Sequence, residues 1–275
     1  MKKIILSFLL LCSAFFGSAQ IRHGSEFHFW FDNNPVSVYF PPSYFTVSKR
    51  FPVLYLLHGT GGDEFSWFVD GDIVNTMDQL ISNGNIEEMV VVMPWVSPSM
   101  DGSYEIEFGR LKKLIESELQ VSILKKDHAI AGLSMGGFYA MHISHYYYNQ
   151  FDYVGLFSAI YTTKKMDIFR KTDDSLFGVD QMSPRIYRNV EKELRKQIQN
   201  KPKLYYIAVG RYDFLYNQNQ LYYNYLVKKL NYKPYYRETG GGHEWRNWRT
   251  YLKEFLPLLF KTGYIDTDNI GELDD

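Results

Sequence analysis

Short apolar runs alternate along this chain with longer stretches in which apolar residues recur at helical spacing. The apolar runs lie at 53–57, 89–93, 128–131, 153–157 and 204–209. Because they are almost continuously apolar, they are typical of strands buried on both faces of a parallel sheet. The stretches with helical spacing are 73–81, 108–119, 136–148, 190–198, 220–230 and 251–260. This alternation predicts an α/β fold with a mostly parallel central sheet and helices on both faces.

Two further runs, 27–31 and 36–40, surround the sequence Asn33-Asn34-Pro35. Asn and Pro favour turns, so this pattern predicts two strands that form an antiparallel edge of the sheet. In parallel sheets, ligands bind beyond the carboxyl ends of the strands. We therefore expect the catalytic residues at that edge of the sheet.

The chain shows neither an internal repeat nor a linker, so we expect one domain over 20–275. Segment 162–200 is longer than a simple crossover and mixes charged with large apolar residues, which predicts a cap over the site. The acidic end, 265–275, is expected to fray.

The first residues resemble a secretory signal peptide: Met1-Lys2-Lys3 is basic, 4–16 is apolar, and small residues precede a cut after Ala19. Secretion or periplasmic export follows as an expectation. The alternative is an uncleaved anchor, but the apolar run is shorter than the about 20 residues that span a bilayer. The one cysteine, Cys12, lies inside this segment, so residues 20–275 contain no thiol and no disulfide.

Composition narrows the classes of partner. The formal net charge is −1, and without a basic stripe nucleic acid is disfavoured. Aromatic residues make up 17% of the chain. Tyrosine and tryptophan combine an apolar face with a polar edge, so part of this excess suits stacking on sugar or aryl groups, and part is core.

Ser134 carries the clearest chemical signal. It lies in Gly132-Leu133-Ser134-Met135-Gly136, directly after a predicted strand. This Gly-x-Ser-x-Gly pattern is typical of a nucleophile elbow, in which serine occupies a strained strand-to-helix turn that leaves no room for bulky neighbours.

The candidate oxyanion donors are two backbone N–H groups. Met135 N–H begins the helix after the serine, and Thr60 N–H belongs to the loop His58-Gly59-Thr60-Gly61-Gly62 that follows the first buried strand. Donors placed in advance stabilise a tetrahedral intermediate without reorganisation.

His243 is the candidate base. It lies in the glycine-rich loop 239–243, before the last predicted helix and after the serine, as the order serine, acid, histidine requires. The competing histidines precede the serine or lie on the helix after it; they are His23, His28, His128, His142 and His145. For His58 we expect a structural role that holds the glycine loop by hydrogen bonds.

Asp213 is the candidate acid, because it follows the strand 204–209 at its carboxyl end. Its rivals are Asp173, Asp174 and Asp180, for which a solvated position in the cap is the ordinary interpretation. Glu244 is too close to His243 in sequence to orient its ring easily.

Neither a metal nor another cofactor is expected. The chain contains no His-Glu-x-x-His sequence, and His142 with His145 is an ordinary pair on one helix face. The glycine loop is not followed by Gly-Lys-Ser/Thr, so it does not match a phosphate-binding loop.

Four segments, 52–59, 132–137, 210–213 and 241–245, resemble the esterase D or putative-esterase family of α/β-hydrolases. That family includes feruloyl and acetyl-xylan esterases, enterochelin esterases and S-formylglutathione hydrolases. The resemblance extends from Val36 to Phe260. It implies the α/β-hydrolase fold and a Ser-His-Asp acyl-enzyme mechanism.

For a secreted member, the resemblance implies feruloyl or acetyl esters on plant cell-wall polysaccharide (xylan) as substrates. The candidate substrate-binding residues are Trp67, Trp95, Tyr104, Tyr212 and Trp245, for each of which plain core packing is the alternative. Arg211 departs from the family, whose members often carry a small or polar residue before the acid. It would narrow the pocket or bind a carboxylate.

Two other functions stay open at this point. The same triad would serve a siderophore esterase of the enterochelin type or an acyltransferase, which differ in the group that accepts the acyl chain. The other alternative is a carbohydrate-binding relative that has lost esterase activity. The oligomeric state cannot be derived from the pattern.

Overall fold

An eight-stranded sheet organises the chain in this computed structural model, which describes residues 23–99, 102–161 and 190–261. The strands lie in the order β1-β2-β4-β3-β5-β6-β7-β8. Their bounds are β1 Ser25–Phe31, β2 Asn34–Phe40, β3 Val53–Leu57, β4 Val90–Pro94, β5 His128–Leu133, β6 Tyr153–Phe157, β7 Leu204–Gly210 and β8 Tyr235–Thr239.

Strand direction puts the loops of interest at one edge. β2 is antiparallel to both β1 and β4, whereas every pair from β4 to β8 is parallel. The carboxyl ends of β3 to β8 therefore share one edge of the sheet. The β1–β2 turn lies at the same edge, because Val36 near the start of β2 pairs with Pro94 at the end of β4.

Helices connect the strands and cover both faces. Within the described ranges they are α1 Ser66–Val69, α2 Ile73–Ser82, α3 Ser103–Glu118, α4 Met135–Tyr146, α5 Val190–Gln199, α6 Tyr216–Leu230 and α7 Trp245–Phe255. Side chains of β3 alternate between two cores: Val53, Tyr55 and Leu57 pack in one, and Leu54 and Leu56 in the other. The first core includes residues of α3, α4 and α6; the second includes residues of α2 and α7. The predicted doubly covered parallel sheet is confirmed.

The predicted hairpin turn was placed too late. The turn is formed by Asp32 and Asn33, with φ of 47° and 67°, whereas Asn34 and Pro35 belong to β2. A tight hairpin needs left-handed residues at its centre. Asp and Asn adopt that conformation, but the ring of Pro35 fixes a negative φ, so Pro35 cannot.

The pattern missed β8 and misplaced the start of α7. β8 contains Arg237, Glu238 and Thr239, and it is only partly buried because it lies at the sheet edge. It therefore lacks the apolar run of a central strand. α7 begins at Trp245, six residues before the predicted 251, because its first five residues mix Trp245 and Trp248 with two arginines.

Three predictions lie outside the described residues: the signal peptide over 1–19, the cap from 162 to 189, and the acidic end 265–275. Of the cap segment, the described part is 190–200, which holds α5. A helix long and apolar enough to cross a membrane is absent from the residues described.

Candidate active site

Ser134 forms a sharp turn between β5 and α4. Its backbone angles are φ 53° and ψ −116°, outside the regions that ordinary residues favour. Such strain persists only where the surroundings enforce it, and it is concentrated at functional sites. The residue is 7% exposed. A strained strand-to-helix turn is the geometry that a nucleophile elbow requires.

Two glycines make the elbow possible. A β-carbon on Gly132 would overlap the backbone of Gly136, and one on Gly136 would overlap the carbonyl oxygens of Leu57 and His58. The end of β5, the start of α4 and the end of β3 therefore touch backbone to backbone. This close approach explains the small residues on either side of Ser134.

The loop after β6 holds the backbone of Ser134 from the other side. Ser134 N–H donates to the Phe157 carbonyl oxygen at 2.9 Å, and Ile160 N–H donates to the Ser134 carbonyl oxygen at 3.2 Å. Between these two partners, Ser158 has a positive φ of 46°. The strained turn at Ser134 is thus braced by a second strained turn one strand away.

His58 fixes the glycine loop. Its Nε2 accepts a hydrogen bond from Val96 N–H at 2.9 Å, so its Nδ1 carries the proton and donates to the Gly59 carbonyl oxygen at 2.8 Å. Burial lowers the pKa of His58, which favours this neutral form. Gly59 faces the serine: a β-carbon there would stand 3.3 Å from Ser134 Cβ. Thr60, the next residue, is exposed.

His243 and Asp213 form a hydrogen-bonded pair. His243 Nδ1 lies 2.9 Å from Asp213 Oδ2 and 3.1 Å from Oδ1. The Asp213 side chain is fully buried and that of His243 is 17% exposed. Leu215 N–H donates to Asp213 Oδ1 at 2.8 Å, which anchors the carboxylate. The imidazole is therefore oriented through Nδ1, and its Nε2 is left for another partner.

The loops that carry these two residues are tied together. Tyr212 N–H donates to the Gly241 carbonyl oxygen at 3.2 Å, and Asn247 Nδ2 donates to the Gly242 carbonyl oxygen at 2.8 Å. Asn247 is 5% exposed and belongs to α7. The glycine-rich loop before His243 is thus held both by the loop of Asp213 and by the helix that follows.

Among the residues that the structure describes, two aromatic rings contact the His243 ring, and neither was predicted from the sequence. Trp248 is 7% exposed and meets the imidazole nearly edge to face, with ring centroids 4.9 Å apart. Phe214 is 63% exposed and lies 4.4 Å away at 49°. The signal that could have found Phe214 is its position directly after the candidate acid.

The predicted substrate-binding aromatics divide into core and surface. Trp67 and Tyr104 are 1% and 2% exposed. Trp67 Nε1–H donates to the Leu57 carbonyl oxygen at 3.2 Å, and Tyr104 packs on Tyr139. Core packing, the alternative stated for both, accounts for these contacts.

The other candidates are more accessible. Tyr212 is 82% exposed, whereas Trp95 and Trp245 are half-buried. Trp245 packs against Trp67 with centroids 5.1 Å apart. The Arg211 side chain is 68% exposed, and its Nε lies 3.4 Å from Glu238 Oε2, so its charge is partly satisfied at the surface.

The rival residues lie elsewhere or make other bonds. His128 Nδ1 bonds the Leu124 carbonyl oxygen at the start of β5, and His23 bonds Asp78. His142 and His145 are buried within α4. Glu244 accepts a bond from Gly242 N–H at 3.4 Å and pairs with Arg246. The three cap aspartates lie outside the described residues. Across the ranges described, His, Cys, Asp and Glu side chains form no group of three that could hold a metal ion.

Comparison with known proteins gives one family and several relatives. A family model described as "Putative esterase" matches residues 32–110 and 108–259. An "Endo-1,4-beta-xylanase/feruloyl esterase" of Xylanibacter ruminicola is 32% identical over 165 residues, which is 50% of this chain and 22% of that protein. An "Acetyl esterase" of Caldicellulosiruptor saccharolyticus is 29% identical over 238 residues, 78% of this chain and 86% of that protein. The chain thus spans about a fifth of the length of the first relative and most of the second.

Solved structures share the architecture at low identity. A ferulic acid esterase superposes with a TM-score of 0.70 at 23% identity, covering 86% of this chain and 98% of the other. The feruloyl esterase module from Clostridium thermocellum gives 0.71 at 18%, covering 87% and 89%. An S-formylglutathione hydrolase from Staphylococcus aureus gives 0.65 at 20%, covering 86% and 98%. These likenesses establish the predicted α/β-hydrolase fold.

Proposed function

The chain belongs to the "Putative esterase" family, and from that premise we propose that it is a serine carboxylic-ester hydrolase with Ser134 as nucleophile. His243 is the proposed base and Asp213 the residue that orients it. The observation that carries the proposal is the bond between His243 Nδ1 and the buried Asp213 carboxylate, at the sheet edge where the strained Ser134 also lies.

Each group has a definite role in the proposed reaction. A serine hydroxyl is a poor nucleophile until a base removes its proton. His243 Nε2 takes that proton as Ser134 Oγ attacks the ester carbonyl carbon, and the Asp213 carboxylate stabilises the imidazolium that results. The imidazolium then protonates the leaving alcohol. Water, activated by the same base, releases the acid from the acyl-enzyme.

Met135 N–H and Thr60 N–H are the proposed donors to the oxyanion. Met135 is the first residue of α4, so its N–H lacks a partner within the helix and lies at the positive end of the helix dipole. Thr60 follows Gly59, whose backbone faces Ser134. Loss of one such donor costs about 3 kcal/mol of transition-state stabilisation.

The proposed substrates are feruloyl or acetyl esters on plant cell-wall polysaccharide. The support is the named activity of two relatives together with exposed aromatic rings, Tyr212 and Phe214, beside the candidate acid. Secretion through residues 1–19 is part of the same proposal, since a polysaccharide in a cell wall does not enter the cytoplasm. Mass spectrometry of the exported protein would show its N-terminus at Gln20, whereas retention of Met1 would reject the proposed cut.

The test is hydrolysis of methyl ferulate, acetylated xylan and a catecholate siderophore by the wild type and by Ser134→Ala. We expect the first two esters to be cleaved and the variant to be inactive while its circular dichroism stays native. Cleavage of the siderophore alone would move the function to the enterochelin type. Equal hydrolysis by the variant would reject Ser134, and failure of a fluorophosphonate to label Ser134 would support an inactive relative.

A further inference from the structure

The surroundings of His243 indicate where the alcohol part of an ester lies. In the reaction proposed above, the imidazolium gives its proton to the alcohol oxygen as the ester bond breaks. That oxygen must therefore come within hydrogen-bond distance of His243 Nε2. The alcohol group that carries this oxygen therefore lies against the side chains around the imidazole.

Three described side chains contact or bond that ring. Asp213 occupies its Nδ1 edge and is fully buried. Trp248 meets it from the core and is 7% exposed. Phe214, by contrast, is 63% exposed. Among these three, Phe214 is the most exposed and is therefore the side chain that an incoming alcohol group can reach.

The backbone presents Phe214 in a fixed position. Leu215 N–H bonds the Asp213 carboxylate, and Tyr216 N–H bonds the Asp213 carbonyl oxygen at 2.9 Å. Tyr212 N–H is held by Gly241. The turn thus buries Asp213 and exposes the rings before and after it, Tyr212 at 82% and Phe214 at 63%. A rigid aromatic surface loses little conformational entropy when a ligand covers it.

We propose that Phe214, together with Tyr212, is the platform for the sugar on the alcohol side of the scissile ester. This proposal rests on the proposed function and names the alcohol that the site selects. The negative face of an aromatic ring attracts the polarised C–H groups of a sugar ring. Arg211, which precedes Tyr212 in the chain, pairs with Glu238, and both carry charged groups suited to sugar hydroxyls. A small alcohol such as methanol offers neither the face of a sugar ring nor further hydroxyl groups.

The experiment compares esters that share an acyl group and differ in the alcohol. One pair is methyl ferulate and a feruloylated arabinoxylan oligosaccharide; the other is ethyl acetate and an acetylated xylo-oligosaccharide. Within each pair the acyl-enzyme is the same, so its hydrolysis cannot depend on the alcohol. The readout is therefore kcat/KM, which contains binding and acylation.

We expect Phe214→Ala to lower kcat/KM for the sugar esters about 3- to 10-fold more than for the simple esters. Phe214→Leu keeps bulk against the imidazole but has no ring face, so it should also lower kcat/KM for the sugar esters more than for the simple esters. Phe45→Ala is the matched control: Phe45 is 52% exposed and follows β2 at the opposite edge of the sheet. This variant should leave kcat/KM for both classes of ester unchanged.

The outcomes separate this proposal from the function on which it rests. Equal losses on sugar and simple esters would mean that Phe214 only positions His243, and the platform would be rejected. Unchanged kinetics in both Phe214 variants would also reject it. If the wild type cleaves none of the four esters, the proposed function itself fails.

Discussion

The carbonyl oxygen of Gly241 lies where a β-carbon on Gly210 would have to stand. Gly210 ends β7, just before the loop of Asp213, and Gly241 lies in the loop of His243. The Tyr212 N–H donates to the same carbonyl oxygen. The two loops are therefore joined backbone to backbone, and the absence of a side chain at residue 210 allows it.

Gly210→Ala should push these loops apart. The added methyl group cannot be accommodated without a backbone shift, which costs about 1–3 kcal/mol of unfolding free energy. A displacement of about 1 Å between catalytic groups can lower the rate about 100-fold. We expect kcat for an ester to fall by about 10- to 100-fold. Urea unfolding of the same variant measures the loss of stability.

The matched control is Gly240→Ala, in the same glycine run. A β-carbon at Gly240 meets nothing within 4 Å, so both kcat and unfolding should stay close to the wild type. Wild-type kcat in Gly210→Ala would contradict the proposed coupling between the loops.

Asp213→Asn should leave the fold intact and remove most of the activity. The asparagine oxygen can still accept the bond from Leu215 N–H, which turns its NH₂ group toward His243 Nδ1. That nitrogen must then accept instead of donate, so the imidazole is held in the wrong tautomer. We expect kcat to fall by about 10³- to 10⁴-fold, measured in a single-turnover ester assay.

Glu244→Gln tests the neighbouring carboxylate. Because Glu244 bonds Gly242 and Arg246 and not the imidazole, this variant should keep wild-type kcat. If Glu244→Gln lost as much activity as Asp213→Asn, the orienting role of Asp213 would be wrong.

Buried histidines should make the fold sensitive to mild acid. Burial lowers the pKa of His145 from 6.5 to about 3; it also lowers the pKa of His142 well below its usual range and that of His58. Between these folded values and about 6.5, the unfolded chain binds protons that the folded chain does not. Unfolding free energy should therefore fall as pH falls below 6.5, by up to about 1.4 kcal/mol per pH unit for each histidine.

His145→Gln isolates one of these protons. Urea unfolding between pH 7.5 and 5.0 avoids most carboxylate titration. In this range the unfolding free energy of the variant should depend less steeply on pH than that of the wild type, by a slope that corresponds to at most about one bound proton. The slope is the readout, because the substitution also changes the bonds that His145 Nε2 makes near Tyr205 and Tyr222. An unchanged slope would mean that His145 titrates alike in both states.

The sequence predicted most of what local chemistry determines. For buried strands such as β3 and β6 the predicted bounds match the observed ones, since both of their faces are apolar. β8 was missed because it is a partly buried edge strand that carries Arg237 and Glu238 and so lacks an apolar run. In the site, Ser134 and its glycines form a local motif, whereas the contact of Phe214 with His243 arises only when the loop after β7 meets the loop before α7. Trp67 and Tyr104 were candidates for substrate binding but lie in the core. Residue type alone does not distinguish a buried aromatic side chain from one at the surface.

Asn247 provides the last prediction, because it holds the His243 loop from α7. Its Nδ2 donates to the Gly242 carbonyl oxygen, and its side chain fills the space beside Gly241. Asn247→Ala removes both contacts in a buried position, which should cost about 1–3 kcal/mol of unfolding free energy.

The change should also let His243 depart from its productive position, so we expect kcat for methyl ferulate or ethyl acetate to fall about 10-fold or more with little change in KM. Thr250→Ala, on the same helix, is the control: its hydroxyl makes a solvent-exposed hydrogen bond to the Arg246 carbonyl oxygen, so kcat should not change. A loss of stability with unchanged kcat would show that Asn247 supports the fold and not the base. A similar fall of kcat in both variants would assign the effect to α7 as a whole.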